Sequence, residues 1–467
     1  MNEQEKTGTG QGVHGMLAAI RDSQFAKIIM IGILTLLLQI PITMIDNTVR
    51  ERQSRSTEAV EEVSAKWGRM QRIIGPYITV PYEREVKETV QGATSSAWES
   101  KVSTVLEQAN FFPDEVKFDA NTENMIKHRG IFDVPVYSMD LHLTGRFSRP
   151  DFSLLNVRPK RILWDQARIN ILITDPRAVT NQAVLDWNGD KLAFQPGGDE
   201  LGSVGGGILV SLRDKLTADS FTFSCQLAVQ GSKGIFFAPV GRSTEATIAS
   251  GWAHPSFQGN WLPSEQRADK NGFRATWKVS SLGRKCSQSW IDTPCSTAAH
   301  CANDTFGVNF IQPVDTYSMA HRSIKYQFLF LALTFISLWL FEVLAKVRLH
   351  GVQYVLVGGG MCLFYLLELS LAEHIGFFLA YVVASLAIVV LETCYCMAIL
   401  QSARRSAVMA GFIVLLYAYL YTLLINQDYA LLAGSVGLFL LLGTIMYLTR
   451  KIDWYGLGRG TDAADRV

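Results

Sequence analysis

The 467-residue chain has room for two or three domains, and an apolar share of 48% is high for a protein that meets only water. Its net charge of +1 excludes the basic field on which nucleic-acid binding relies, so no nucleic-acid partner is expected. The average hides a split: Asp46 to Lys325 carries charges throughout, whereas Tyr326 to Leu448 is mostly Leu, Val, Ala, Gly and aromatic residues. Two solvents are implied.

A helix needs about 20 apolar residues to cross a bilayer core. Ile28 to Ile45 is such a run, broken only by uncharged Thr35, Gln39 and Thr43, with Pro41 near its outer end where a kink is tolerated. No small-x-small cleavage site follows it, so it reads as an uncleaved anchor. Next, Val60, Val63, Trp67 and Met70 recur at helical spacing among charges and predict a short amphipathic helix leading away from the membrane.

Beyond Gly75 and Pro76 the period becomes two. Tyr137, Met139, Leu141 and Leu143 alternate with polar residues, as do Phe221, Phe223, Cys225, Leu227 and Val229, and then Phe273, Ala275, Trp277 and Val279. These patterns predict half-buried antiparallel strands. Asn188-Gly189, within Val184 to Phe194, predicts a tight hairpin turn. Gly-rich connections such as Gly205 to Gly207 separate the elements. A β-sandwich or a pair of smaller β-rich lobes is expected.

Further spans are predicted at Tyr326 to Leu344, Val352 to Leu371, Gly376 to Ile399, Ser406 to Ile425 and Tyr429 to Leu448. The fold class is therefore a membrane bundle of six transmembrane helices with a large extracytoplasmic β-rich domain inserted between helices 1 and 2. Lys346, Arg348 and His350, then Arg404 and Arg405, then Arg450 and Lys451 all fall on one side of the bundle, while Glu373, His374 and Asp428 fall on the other. By the positive-inside rule the basic side is cytoplasmic. Arg50, Arg52 and Arg55 stand on the outer side, but they begin a segment far longer than those the rule counts, and Lys6, Arg21 and Lys27 stand inside. The expected layout is a cytoplasmic tail over 1–27, an anchor over 28–45, a periplasmic domain over 46–325, a five-helix bundle over 326–448 and a second cytoplasmic tail over 449–467.

Three of the four outer cysteines, Cys286, Cys295 and Cys301, lie close together, and in an oxidising compartment two of them are expected to form a disulfide. Cys225 points inward on its strand and reads as a buried thiol. Joining the cluster to His300 as a metal site fits none of the usual zinc spacings, so no metal is expected. Cys394 and Cys396, two apart on a helix, read as packing residues.

No Walker loop, dinucleotide fingerprint, HExxH or GxSxG occurs, so neither an enzyme activity nor a cofactor is expected. His254 near Ser256 lacks a third group and reads as a turn between strands. The acids inside the spans matter more, because a charge at the bilayer centre costs about 2.5 to 3.5 kcal/mol. Glu342 has Lys346 one turn later, which predicts an interfacial salt bridge. Glu368, Glu373, His374 and Glu392 form the candidate functional membrane site, as a relay or substrate path; the bland alternative is shielding at the interface. Gly358 to Gly360 reads first as close helix packing and second as a hinge.

With this architecture in place, the strings Phe341-Glu342, Gln353 to Gly358, Phe364 to Leu367, Ser370 to Phe377 and Ile452 to Tyr455 resemble the CreD family of bacterial inner-membrane proteins. Gly75-Pro76, Trp252 to Phe257 with Gly259, and Asp315, Tyr317, Arg322 and Lys325-Tyr326 extend the likeness into the outer domain. Gly351 departs from the proline usual after Leu349-His350, and the loop from Cys286 to Cys301 looks peculiar to this chain. The resemblance implies a multi-pass protein of the Gram-negative inner membrane, associated with envelope integrity and with envelope-stress or antibiotic responses under two-component control. It implies no reaction and no catalytic residue. The expected partners are the lipid bilayer and a periplasmic protein, peptidoglycan-related or lipid ligand, with oligomers left open. A transporter or lipid-handling protein using the membrane carboxylates is the rival reading, and a membrane-embedded enzyme at Glu373-His374 is a second.

Overall fold

The computed structural model describes residues 24–91, 98–197, 206–291, 304–310, 316–345, 347, 349–426 and 429–450. Expectations for Lys6, Arg21, Gly205, Cys295, His300, Cys301, Asp315, Lys346, Arg348, Asp428, Lys451 and Ile452 to Tyr455 lie outside the described residues. The chain divides into two compact units, Met1–Arg55 with Val314–Val467, and Ser56–Pro313.

Helices α1 (Gln24–Leu37), α2 (Gln39–Trp67), α3 (Thr316–Ala345), α4 (Gly351–Ile375), α5 (Phe377–Leu400), α6 (Ala403–Ile425) and α7 (Ala430–Thr449) follow in chain order. Among the described residues they supply six segments long and apolar enough to cross a membrane, with α1 and α2 counted as one. Exposed Leu431, Leu432, Phe439, Leu440 and Leu442 on α7 present the apolar surface that lipid, not water, accepts.

Two boundaries differ from the sequence reading. Helix α3 starts at Thr316 rather than Tyr326, because Tyr317, Ala320, Ser323, Ile324 and Gln327 already form a buried stripe at helical spacing. The helix that carries the end of the anchor does not stop at Ile45: α2 continues to Trp67, so the expected short leading helix is its final part. The break falls instead at Leu38. Pro41 has no N–H to give the Leu37 carbonyl and its ring crowds that group, so the helical ladder is interrupted one turn before the proline. Helix α4 begins where His350 Nδ1 accepts from the Val352 N–H at 3.3 Å and Gln353 Oε1 accepts from the His350 N–H at 2.9 Å, a capping box. Gly376, at φ +77°, closes α4 and opens α5 in a conformation that favours glycine.

In the second unit the expected alternation becomes one sheet. Its order is Glu265–Asp269, Gly272–Ser280, Ser243–Ser250, Glu115–Arg129, Phe132–Ser148, Ser220–Ser232, Val184–Trp187 and Asp190–Ala193. All neighbours are antiparallel except Ser243–Ser250 beside Glu115–Arg129. Asn188 and Gly189, at φ +53° and +94°, make the tight turn between its last two strands. The other sheet is built on Gln71–Gln91, antiparallel to Trp98–Phe111 and Arg168–Ile173 and parallel to Gly234–Phe237. Lys233, at φ +65°, turns the chain from one sheet into the other.

The two sheets share one hydrophobic core. Phe118 stacks on Phe237 with centroids 4.7 Å apart, Tyr137 meets Phe310 at 5.2 Å and Trp277 meets Phe306 at 5.6 Å, each pair joining opposite sheets. Ser256 and Phe257 lie on a strand of this packing, while His254 before it is exposed: strand Pro255–Gly259 pairs with Phe306–Phe310, Phe257 packs on Phe273 and Trp277, and Ser256 Oγ accepts from the Gln258 amide at 2.9 Å. The stripe on the last turns of α2 also lies within this unit, where the Trp67 indole N–H donates to the Tyr137 carbonyl at 3.2 Å.

Cys225 is a buried free thiol, and burial alone pushes it up to about 12. Cys286 is buried as well. N-Ethylmaleimide at neutral pH is expected to spare Cys225 in the folded chain and to label it after unfolding, read by peptide mass spectrometry; labelling before unfolding contradicts this packing. Trp277→Ala removes a fully buried indole and is expected to lower the stability of the β-domain by about 3–5 kcal/mol, measured by denaturant titration of the full chain.

Candidate functional site

In hydrocarbon a side-chain polar group needs a protein partner, so the partners of each acid in the bundle decide its role. Four polar pairs tie the N-terminal helices to α3 and α4. Lys27 on α1 forms an ion pair and hydrogen bond with Glu342 on α3, whose other oxygen accepts from the Tyr354 hydroxyl at 3.3 Å. The Gln327 amide donates to Gln39 Oε1. His321 Nδ1 lies 2.7 Å from Asp46 Oδ1. Arg52 lies 3.9 Å from Glu373, which also accepts from the Tyr317 hydroxyl at 3.1 Å.

Glu342 thus has a partner far away in sequence, Lys27; the expected partner Lys346 lies outside the described residues. The outer arginines are likewise paired: Arg50 with Asp46 at 2.9 Å and Arg55 with Glu51 at 2.6 Å. Leu38 packs where Gly358 leaves room, since a Cβ there would come within 2.3 Å of Leu38 Cδ1 and 2.7 Å of Phe335 Cζ. At Gly360 a Cβ would make only ordinary contact, 3.5 Å from Glu392 Oε1, and at Gly359 it would meet nothing within 4 Å. Close approach thus accounts for Gly358 alone of the three glycines.

The four candidate residues do not form one cluster. Glu373 is held by Arg52 and Tyr317 as described, and His374, next to it in the last turn of α4, is exposed. Glu368, 1% exposed, accepts from the Ser323 hydroxyl at 2.9 Å through one oxygen, and its other oxygen has no hydrogen-bond partner among the described residues. Glu392, 2% exposed, has no such partner at either oxygen. A group of tyrosines stands close by. Phe364 packs on Tyr365, Tyr381 and Tyr417, the Tyr381 hydroxyl donates to the Tyr417 carbonyl at 2.6 Å, and the buried Tyr417 hydroxyl has no hydrogen-bond partner among the described residues.

Sequence reasoning missed Ser323, Tyr381 and Tyr417. Ser323 sits before the apolar run where α3 was expected to start, and a tyrosine in a span carries no signal that separates a hydroxyl facing the interior from one at the interface. Among the described residues no group of three or more His, Cys, Asp or Glu side chains is placed to hold a metal.

The Lys27–Glu342 pair is open to a double-mutant cycle. Lys27→Met and Glu342→Gln are each expected to lower the thermal midpoint of the full chain in detergent, the pair of changes together costing less than their sum, with a coupling of about 1–3 kcal/mol. Additive effects would show that the contact contributes nothing.

Residues 23–455 match the family model described as CreD, Inner membrane protein CreD. A relative, Inner membrane protein CreD of Escherichia coli (strain K12), is 31% identical over 429 residues, which are 90% of this chain and 91% of that one. Of solved structures, native leukotriene A4 hydrolase from Saccharomyces cerevisiae aligns over 36% of this chain and 27% of its own at 13% identity and a TM-score of 0.20. Yeast LTA4 hydrolase in complex with bestatin aligns over 43% and 28% at 10% identity and a TM-score of 0.19. Similarity that low carries no argument about fold or chemistry. The family match spans nearly the whole chain, membrane helices and β-domain alike: this chain belongs to the CreD family of inner membrane proteins.

Proposed function

We propose that the protein supports the integrity of the cell envelope and its response to stress by binding a protein, peptidoglycan-related or lipid partner through a periplasmic β-domain. In this reading it has no enzymatic activity, and the bundle holds the domain at the inner membrane with both termini cytoplasmic. The observation that carries it is at the end of one hairpin. Strand Glu115–Arg129 alternates strictly between exposed and buried up to Glu123 and then loses the alternation, leaving Ile126 and, in the turn, Ile131 about half exposed. Beside them an open depression is lined by Asn121, Thr122, Asn124, Ile126, Gly251 and Trp252. We take this strand end, with two half-exposed isoleucines beside a polar depression, as the surface that meets the partner.

A second reading, transport or lipid handling through the membrane carboxylates, is favoured by one observation: Glu392 is buried in the bundle with both oxygens unpartnered.

In a strain lacking the gene, the full chain is expected to restore resistance to detergent, and Ile126→Asp to lose most of that rescue at unchanged protein level. Full rescue by Ile126→Asp removes the hairpin from the account. Rescue by Glu368→Gln and Glu392→Gln chains equal to that of the unaltered chain removes the second reading. For orientation, alkaline phosphatase fused after Gly130 is expected to be active and fused after Leu349 inactive; the reverse pattern contradicts a periplasmic β-domain.

A further inference from the structure

Strand Trp98–Phe111 pairs with Gln71–Gln91 along its whole length, but its other edge is covered only at the base, where Ser289–Ile291 lies beside Ala109 to Phe111. From Gln108 outward that edge has no partner strand among the described residues. In an antiparallel ladder the N–H and C=O of one residue point to one side and those of the next residue to the other. The Phe112 N–H donates to the Gln288 carbonyl at 2.9 Å, on the side of Ser289–Ile291. Val102, Thr104 and Leu106, an even number of residues away in an unbroken register, therefore turn their backbone groups to the open edge.

The strands that end the two sheets are guarded against pairing. Glu265–Asp269 carries Glu265, Arg267 and Asp269, and Asp190–Ala193 is short and carries Asp190 and Lys191. Pro255–Gly259 opens on a proline, and Gln195–Gly197 is three residues around Pro196. Charge, proline and shortness are the usual means of keeping an edge from finding another strand. The run from Val102 to Leu106 has none of them: its residues are Val, Ser, Thr, Val and Leu. Val102, Val105 and Leu106 are 53%, 37% and 60% exposed, and Val102 and Leu106 share one face with Thr104. An open ladder edge flanked by exposed aliphatic side chains is a template for a further strand.

The order of residues says which strand fits. Laid antiparallel on a copy of itself about Thr104, the run sets Val102 opposite Leu106, Ser103 opposite Val105 and Thr104 opposite Thr104. One residue further, at both ends, Lys101 stands opposite Glu107. Residues that turn their backbone outward then meet residues that do the same, as ladder hydrogen bonds require. Apolar side chains meet apolar ones and opposite charges meet across the strands. A patch that complements itself is the mark of a two-fold dimer.

We propose that the partner at this edge is a second copy of the chain, the two Trp98–Phe111 strands pairing antiparallel about Thr104 so that one sheet runs across both molecules. Val102 and Leu106 of each copy then form a single aliphatic strip on one face. A contact of this length is smaller than the standard interface of about 1,600 Å². Copies held in one membrane meet at a high effective concentration, which offsets the small area. The inference goes beyond the binding of a partner at the Gly130 hairpin and does not rest on it.

The test is a Thr104→Cys full chain in lipid vesicles under mild oxidation. A covalent dimer absent from the unaltered chain is expected on a non-reducing gel, with peptide mass spectrometry showing the introduced thiol joined to its counterpart in the other copy. Adding Leu106→Lys is expected to cut the yield at least tenfold, because each lysine then faces Val102 of the other copy. Adding Val102→Glu as well is expected to restore it, since each lysine then faces an acid. A Thr104→Cys chain that stays monomeric overturns the proposal, as does a yield that Leu106→Lys leaves unaltered. A triply altered chain that is present at the normal level and still fails to cross-link overturns the register and the proposal with it.

Discussion

Hydrocarbon offers no hydrogen bonds, and the membrane half of this protein is organised by that constraint. Backbone groups meet it by forming helices. Side chains meet it by pairing across the sequence, Lys27 with Glu342 and Gln39 with Gln327, and Asp46 with His321 and Arg52 with Glu373 continue the row beyond the apolar run. Together with Leu38 seated against Gly358, they make the N-terminal helices part of the bundle rather than a tether beside it. The same rule picks out the exceptions. Glu368 is half satisfied and Glu392 not at all among the described residues, and a buried acid without a partner is where a working role is looked for first.

Water sets the opposite rule for the β-domain. Its strands alternate because one face meets solvent and the other a core shared by two sheets, with aromatic contacts such as Phe118 on Phe237 and Trp277 on Phe306 closing the gap. Where the Glu115–Arg129 strand leaves that core, the alternation stops. The proposed partner surface and the proposed membrane site are thus both places where the local rule is broken.

Periodicity made much of this legible. The strands around Tyr137, Phe221 and Phe273, the Asn188-Gly189 turn and the apolar helices are all local patterns, fixed by the residues that form them. Long-range facts were not legible. The contact of Lys27 with Glu342, far apart in the chain, was not foreseen. The start of α3 was hidden because His321, Arg322 and Lys325 surround the buried Ser323 before the apolar run. Glu373 and His374 drew attention by their chemistry, yet adjacent residues on a helix point apart, and His374 is exposed. The tyrosines beside Glu368 and Glu392 needed the packing of three helices to be seen.

The central claim about the membrane unit is that its acids are of two kinds, cation-paired and unpaired. An apolar carbodiimide, dicyclohexylcarbodiimide, partitions into hydrocarbon and adds to protonated carboxyls, so labelling of the full chain in lipid followed by peptide mass spectrometry distinguishes them. The account predicts modification at Glu368 and Glu392 with Glu342 spared. Labelling of Glu342 with Glu392 untouched would contradict it.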